Sequence, residues 1–137
     1  MEYLMRVNWL FFACLFFLFS GCKKKPSTFA APGTSEITLS ISNPIENGVF
    51  STGETIHLDG IADADAILGG WRSTLTNSST GEIIDTFEQR YEQTQYILHH
   101  HWVIESQDTL ELSSLVEVFS VNDELLTSKT VHFQYHP

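Results

Sequence analysis

The hydrophobic positions of this 137-residue chain follow two different rules. From Trp9 to Phe19 they form an unbroken run of 11 residues with no charge and nothing more polar than Cys14. From Glu36 onward they alternate. Ile37, Leu39 and Ile41 are separated by Thr38 and Ser40, a period of two that predicts a half-buried strand. Asn43-Pro44 ends it, Asn47-Gly48 signals a turn, and Val49-Phe50 adds a short strand before Ser51-Thr52-Gly53. Thr55 to Ala62 reads as the next strand, with Ile56 and Leu58 on one face and His57 and Asp59 on the other. Asp63-Ala64-Asp65 reads as a loop. Ile67 to Thr76 is then a strand with Trp71, Ser73 and Leu75 in phase, Trp71 serving as an anchor between sheets.

Asn77-Ser78-Ser79-Thr80-Gly81 has the composition of a hairpin loop. Glu82 to Gln89 follows as a weaker strand, suited to a sheet edge. Gln95 to Glu105 is the most apolar strand: Tyr96, Leu98, His100, Trp102 and Ile104 share one face, and Ile97, His99, His101 and Val103 the other. In Thr109 to Val121 the apolar phase changes near Ser113-Ser114, which suggests a bulge or bend. Asn122-Asp123 is a turn, and a last strand runs from about Leu126 to Tyr135. No segment shows a helical period of helical length. Seven or eight short strands punctuated by turns predict an all-β fold, a single immunoglobulin-like or fibronectin-III-like β-sandwich over residues 36–137.

The N-terminal run is too short for a spanning helix, which needs about 20 residues. It reads as the core of an export signal, residues 1–21. Glu2 cancels Arg6, and a start at Met5 would restore a basic beginning. Leu18-Phe19-Ser20-Gly21-Cys22 resembles a bacterial lipobox, with Phe19 where Leu is usual and the small Ser20 and Gly21 before the cysteine. That resemblance implies lipidation of Cys22, by a diacylglycerol and an N-acyl chain such as palmitate, as the first mature residue. More than two fatty chains suffice for a stable membrane anchor. Residues 22–35, with Lys23-Lys24-Lys25, two prolines and a glycine, read as a flexible tether. Lys23 after the lipidated cysteine, in place of the inner-membrane retention Asp of enterobacteria, favours the outer membrane, facing either periplasm or cell surface.

Processing at Cys22 leaves a single cysteine, capped by lipid, so the mature monomer has no disulfide and no cysteine metal site. From Thr34 onward three basic residues face sixteen acidic ones, a net of −13. Such a domain repels phosphate backbones, which excludes nucleic acid as a partner, and it attracts cations. Gly-x-Ser-x-Gly, His-Glu-x-x-His and phosphate-loop motifs are all missing, so the reading is not an enzyme. Asn77-Ser78-Ser79 matches a glycosylation sequon, read as a chance match in a hairpin loop.

Between Ile37 and Ala62 the series Asn43-Pro44, Asn47-Gly48, Phe50, Gly53-Glu54 and Gly60, followed by Asp63, resembles bacterial immunoglobulin-like surface modules. With the lipobox, the chain is similar to small immunoglobulin-like lipoproteins of the Bacteroidota. The resemblance implies an envelope address and the sandwich fold, and no activity, because the fold hosts many functions.

Two side-chain sets are candidate sites. His99 and His101, two apart on one strand, share a face, and an immunoglobulin-type strand order would bring His57 to the same outer face. Three imidazoles there suit zinc or copper; the alternative is a set of half-polar surface residues, with His100 a core histidine bonded to a carbonyl. Asp59, Asp63 and Asp65 would offer oxygen ligands to calcium, although polar loops use Asp for turn geometry as well. The leading functional expectation is a lipid-anchored binding or accessory module for a protein or glycan partner, with the Glu82–Gln89 edge as the contact. A metal-binding lipoprotein and a structural spacer are the alternatives.

Overall fold

The computed structural model describes residues 36–137; the expected signal segment, Cys22 and the expected tether lie outside the described residues. The strands are β1 (Ile37–Asn43), β2 (Gly48–Ser51), β3 (Thr55–Asn77), β4 (Ile83–Gln89), β5 (Gln93–Val103), β6 (Leu110–Ser120) and β7 (Leu125–His136). β3, 23 residues long, serves both sheets. Its first half lies between β1 and β5, both antiparallel, with Leu39 opposite Ala62 and His57 opposite His101. Its second half lies between β4 and β6, with Trp71 opposite Gln89 on one side and Val118 on the other. β7 continues the second sheet beyond β6, and β2 closes it by pairing parallel to β7. The two sheets are therefore β1-β3-β5 and β4-β3-β6-β7-β2, an immunoglobulin-like sandwich of seven strands.

The expected loop at Asp63-Ala64-Asp65 is instead part of β3. The chain crosses from one sheet to the other while staying extended, and the pairing with β5 jumps from Asp63–Gln95 to Leu68–Gln93. Turn-forming residues thus stay in the strand: Asp63 is paired on both sides and Ala64 with Ile37 of β1, and Asp65 begins the irregular crossing that ends at Leu68. Just beyond, Gly69 and Gly70 enter the second sheet where no side chain fits. A Cβ on Gly69 would lie 2.2 Å from the Ser120 carbonyl oxygen, and one on Gly70 would lie 2.7 Å from that of Gln89.

β6 also departs from expectation. Its phase does not change at Ser113-Ser114: Leu112, Ser114, Val116 and Val118 all point inward, and the register slips later, between Val118 and Phe119. Ser114 is an inward serine within an unbroken alternation.

The core is formed by the inward row of every long strand, including Ile56, Leu58, Trp71, Leu75, Tyr96, Leu98, Trp102, Val116, Phe133 and Tyr135, each under 5% exposed. Burying a large apolar side chain contributes about 1.5–3 kcal/mol, and these rows hold the sandwich without any covalent link. Trp71 is the anchor expected, fully buried, its Nε1 donating to Gln89 Oε1 at 2.8 Å. The turns follow their residue chemistry: Asn47 takes φ 60° before Gly48, and Asp123 takes φ 65° in the β6–β7 turn.

Candidate functional site

Three places in the domain carry side chains whose chemistry exceeds what packing requires. The first is the outer face of β1-β3-β5. Alternation turns His57, Asp59 and Ile61 outward on β3, and Ile97, His99 and His101 outward on β5. The register sets His57 opposite His101, Asp59 opposite His99 and Ile61 opposite Ile97. The His57 ring lies 6.0 Å from that of His99, nearly parallel, and 6.4 Å from that of His101, centroid to centroid. His99 Nδ1 donates to Asp59 Oδ1 at 2.8 Å, and Asn43 Nδ2 donates to Asp59 Oδ2 at 3.1 Å. The bond from His99, then that from Asn43, holds the Asp59 carboxyl below its ordinary value against the opposing effect of burial. The sandwich thus gathers the three expected histidines. Among the described residues, however, no three His, Asp or Glu donors already surround a common metal position.

The three aspartates expected as a calcium set are spread along β3 rather than gathered in a loop. Asp59 is engaged by His99 and Asn43, and Asp63 accepts from Gln95 Nε2 at 3.1 Å. Asp59 and Asp63 stand four residues apart on an extended strand, roughly 13 Å along its axis, too far for one ion.

The second place is the open side of the sandwich, where β4 and β5 each pair only with β3 among the described residues. Their edges are joined by Asp85 of β4. Its Oδ2 accepts from His100 Nε2 and from Trp102 Nε1, both at 2.9 Å. Phe87 stacks on the His100 ring at 4.4 Å and packs against Trp71. His100 is therefore a half-buried histidine bonded to a carboxylate, not to the carbonyl expected for a core histidine. A bulge at Ile84, where Leu75 pairs with Asp85 and Thr76 with Ile83, turns Ile84 toward this seam. Clefts of about 280 and 390 Å³ run along it, sharing Ile84, Val103 and Ile104 as lining. Ile83, Ile84 and Val103 are 63%, 42% and 63% exposed.

The third place is Phe119, on the outer face of the second sheet, covered by the Arg72 and Arg90 guanidinium groups at 4.9 and 5.2 Å. Arg72 pairs with Glu88 and Glu117, and Arg90 with Glu88 and Asp123. The bond from Arg90, then that from Arg72, holds the Glu88 carboxyl low. Two of the domain's three basic residues are thus committed to one hydrophobic cover.

Sequence reading missed the Asp85 bridge and the Phe119 cover. The available signals were a carboxylate in the inward phase of β4, between Ile83 and Phe87, and a phenylalanine directly after inward Val118.

No protein-family model matches the chain, and no curated protein matches its sequence. Among solved structures it is similar to the CARDB domain of the PF1109 protein from Pyrococcus furiosus, in complex with di-metal ions. The two are 10% identical over 74% of this chain and 89% of that one, with a TM-score of 0.44. The sandwich assignment rests on the strand order and pairing described above.

Proposed function

We propose that this chain is a lipid-anchored module of a bacterial envelope whose immunoglobulin-like domain binds an extended segment of a protein partner along β4. One observation carries the binding part. β4 is an open edge, and beside it lies a cleft of mixed polarity in which Ile83, Ile84 and Val103 are exposed among Asn77, Glu82 and Glu105. An added strand would bond to the free backbone groups of β4, and its alternate side chains would enter the cleft. Natural edges are blocked by lysine, proline, bulges or inward-pointing charges. Ile83 to Phe87 contains no lysine or proline; its bulge at Ile84 and its acid Asp85 are turned to the β5 side, Asp85 paired with His100, and the arginine pairs begin at Glu88. The anchor rests on Leu18 to Cys22, and it would hold the domain at the outer membrane surface through lipid alone.

The test places a photo-activated cross-linking residue at Thr86, exposed on β4, and at Ser128, exposed on β7, in cells of the parent organism. Strand addition gives one discrete adduct from Thr86, none from Ser128, and loss of the adduct when Ile84 is changed to Lys. Equal labelling from both positions, or no adduct from Thr86, refutes it and leaves a spacer. The anchor is tested separately: palmitate labelling and membrane retention should both be lost in Cys22→Ala.

A further inference from the structure

Neither the core nor the β4 edge uses the histidines on the outer face of β1-β3-β5. We propose that His57, His99 and His101 bind one transition-metal cation of the zinc(II) or copper(II) type, with Asp59 positioning His99.

The backbone brings the three together. His99 and His101 are two residues apart on β5, about 7 Å, and directly opposite residues of antiparallel strands lie about 4.5–5.5 Å apart. His57 is opposite His101, so the three Cα atoms form a small triangle on one face. The rings already lean together, 6.0 and 6.4 Å from His57 to the other two. Two imidazoles on one tetrahedral zinc, with Zn–N about 2.0–2.1 Å, have centroids roughly 5 Å apart. The two pairs that include His57 must therefore close by about 1 Å, and His99 and His101 must lean toward each other along β5, within reach of χ rotation in side chains that face solvent. His57, His99 and His101 are all exposed.

Asp59 supplies the feature that separates a metal ligand from a surface histidine. By accepting from His99 Nδ1 at 2.8 Å it fixes the tautomer and leaves Nε2 as the free donor. A carboxylate behind a ligating imidazole orients the ring and raises its basicity. The domain's net charge of −13 draws cations to the face, and Arg72, on the other sheet, and Arg90, just after β4, are engaged by Glu88, Glu117 and Asp123. Three neutral nitrogen donors select zinc and copper over calcium and magnesium, and water fills the fourth position.

The experiment titrates zinc chloride, then copper(II) and calcium, into tag-free full-length protein in detergent, followed by calorimetry. The same series is run with cobalt(II), whose intense visible bands report four-coordination. The expected result is saturable binding of one zinc per chain, tighter copper, no calcium, and tetrahedral cobalt bands. His99→Gln/His101→Gln should abolish binding and His132→Gln, on β7, should leave it unchanged. Asp59→Asn should weaken zinc by about ten- to a hundredfold. All sites lie on an exposed face, and matching thermal melts without metal will show that the variants fold. Binding that never saturates, or that survives in the His99/His101 variant, is adventitious and overturns the site. Loss in that variant with full affinity in Asp59→Asn overturns the positioning role.

Discussion

Asp85 is a half-exposed side chain whose removal should be felt in both sheets. One oxygen accepts from both Trp102 Nε1 and His100 Nε2, so Asp85→Ala strands two donors of β5 at once. Trp102 is 4% exposed, so its indole N–H has almost no access to replacement water, whereas the His100 side chain is 19% exposed and Asp85 41%. A hydrogen bond to a charged group contributes about 1.5–3 kcal/mol. Solvent at Asp85 places the indole bond at the low end, and hydration of His100 leaves its bond a smaller addition. The expected loss is about 2 kcal/mol, a fall in Tm on the order of 10 °C for a domain of this size. Urea unfolding followed by circular dichroism measures it, with Asp85→Ala made in the parent and in a Trp102→Phe background. Phe fills most of the indole's space and has no N–H, so there the cost of Asp85→Ala should drop below about 1 kcal/mol. An Asp85→Ala protein within about 0.5 kcal/mol of the parent, or an equal cost in both backgrounds, would refute the view that this carboxylate ties the sheets together.

Three further outcomes follow from the core and the histidine face. Ser114 Oγ is fully buried without a partner, as is Ser73 Oγ, so Ser114→Ala should raise stability by about 1 kcal/mol in urea with an unchanged m-value; a fall would mean that the hydroxyl is satisfied. Gly69→Ala should destabilise by about 3 kcal/mol, because its Cβ would meet backbone on two sides, Ser120 O at 2.2 Å and Val121 Cα at 2.7 Å; a neutral variant would refute the close crossing. Asp59 has a folded-state pKa below its ordinary 3.8, so its contribution is fully present above that value and is lost as pH falls through the folded one. Asp59→Asn should therefore be less stable than the parent near neutrality by under about 1 kcal/mol, given its exposure, with the gap closing below about pH 4 in acid unfolding curves. A gap that widens in acid would contradict the His99 bond.

What could be read from the residues, and what could not, divides by the range of the interaction that decides each feature. Period-two alternation is local, and it correctly sorted Tyr96, Leu98 and Trp102 inward and His99 and His101 outward. The weak polar strand before β5 was correctly marked as an edge. Turn chemistry is local too, and it failed where a distant partner overrode it: Asp63-Ala64-Asp65 has loop composition, but Asp63 is held between β1 and β5, Ala64 pairs with β1, and the chain runs on extended through Asp65. The phase change expected at Ser113-Ser114 fails for another reason: Leu115 and Phe119 are apolar in the outward phase, while Leu112, Ser114, Val116 and Val118 keep the inward one. Register is set by pairing between distant segments, so the alignment of His57 with His101 and of Asp59 with His99 was beyond sequence reading, although the shared face was not. The two polar sites differ in the same way. The histidines follow the alternation, and Asp59→Asn changes only a half-exposed contact. Asp85 breaks it, an acid in an inward position on an edge strand, and a buried indole on the opposite sheet is what keeps it there. A polar residue that violates the pattern is held by a specific partner, and its removal should be felt in stability; one that obeys it is free of the core, and any cost of its removal beyond a surface contact should appear when something binds.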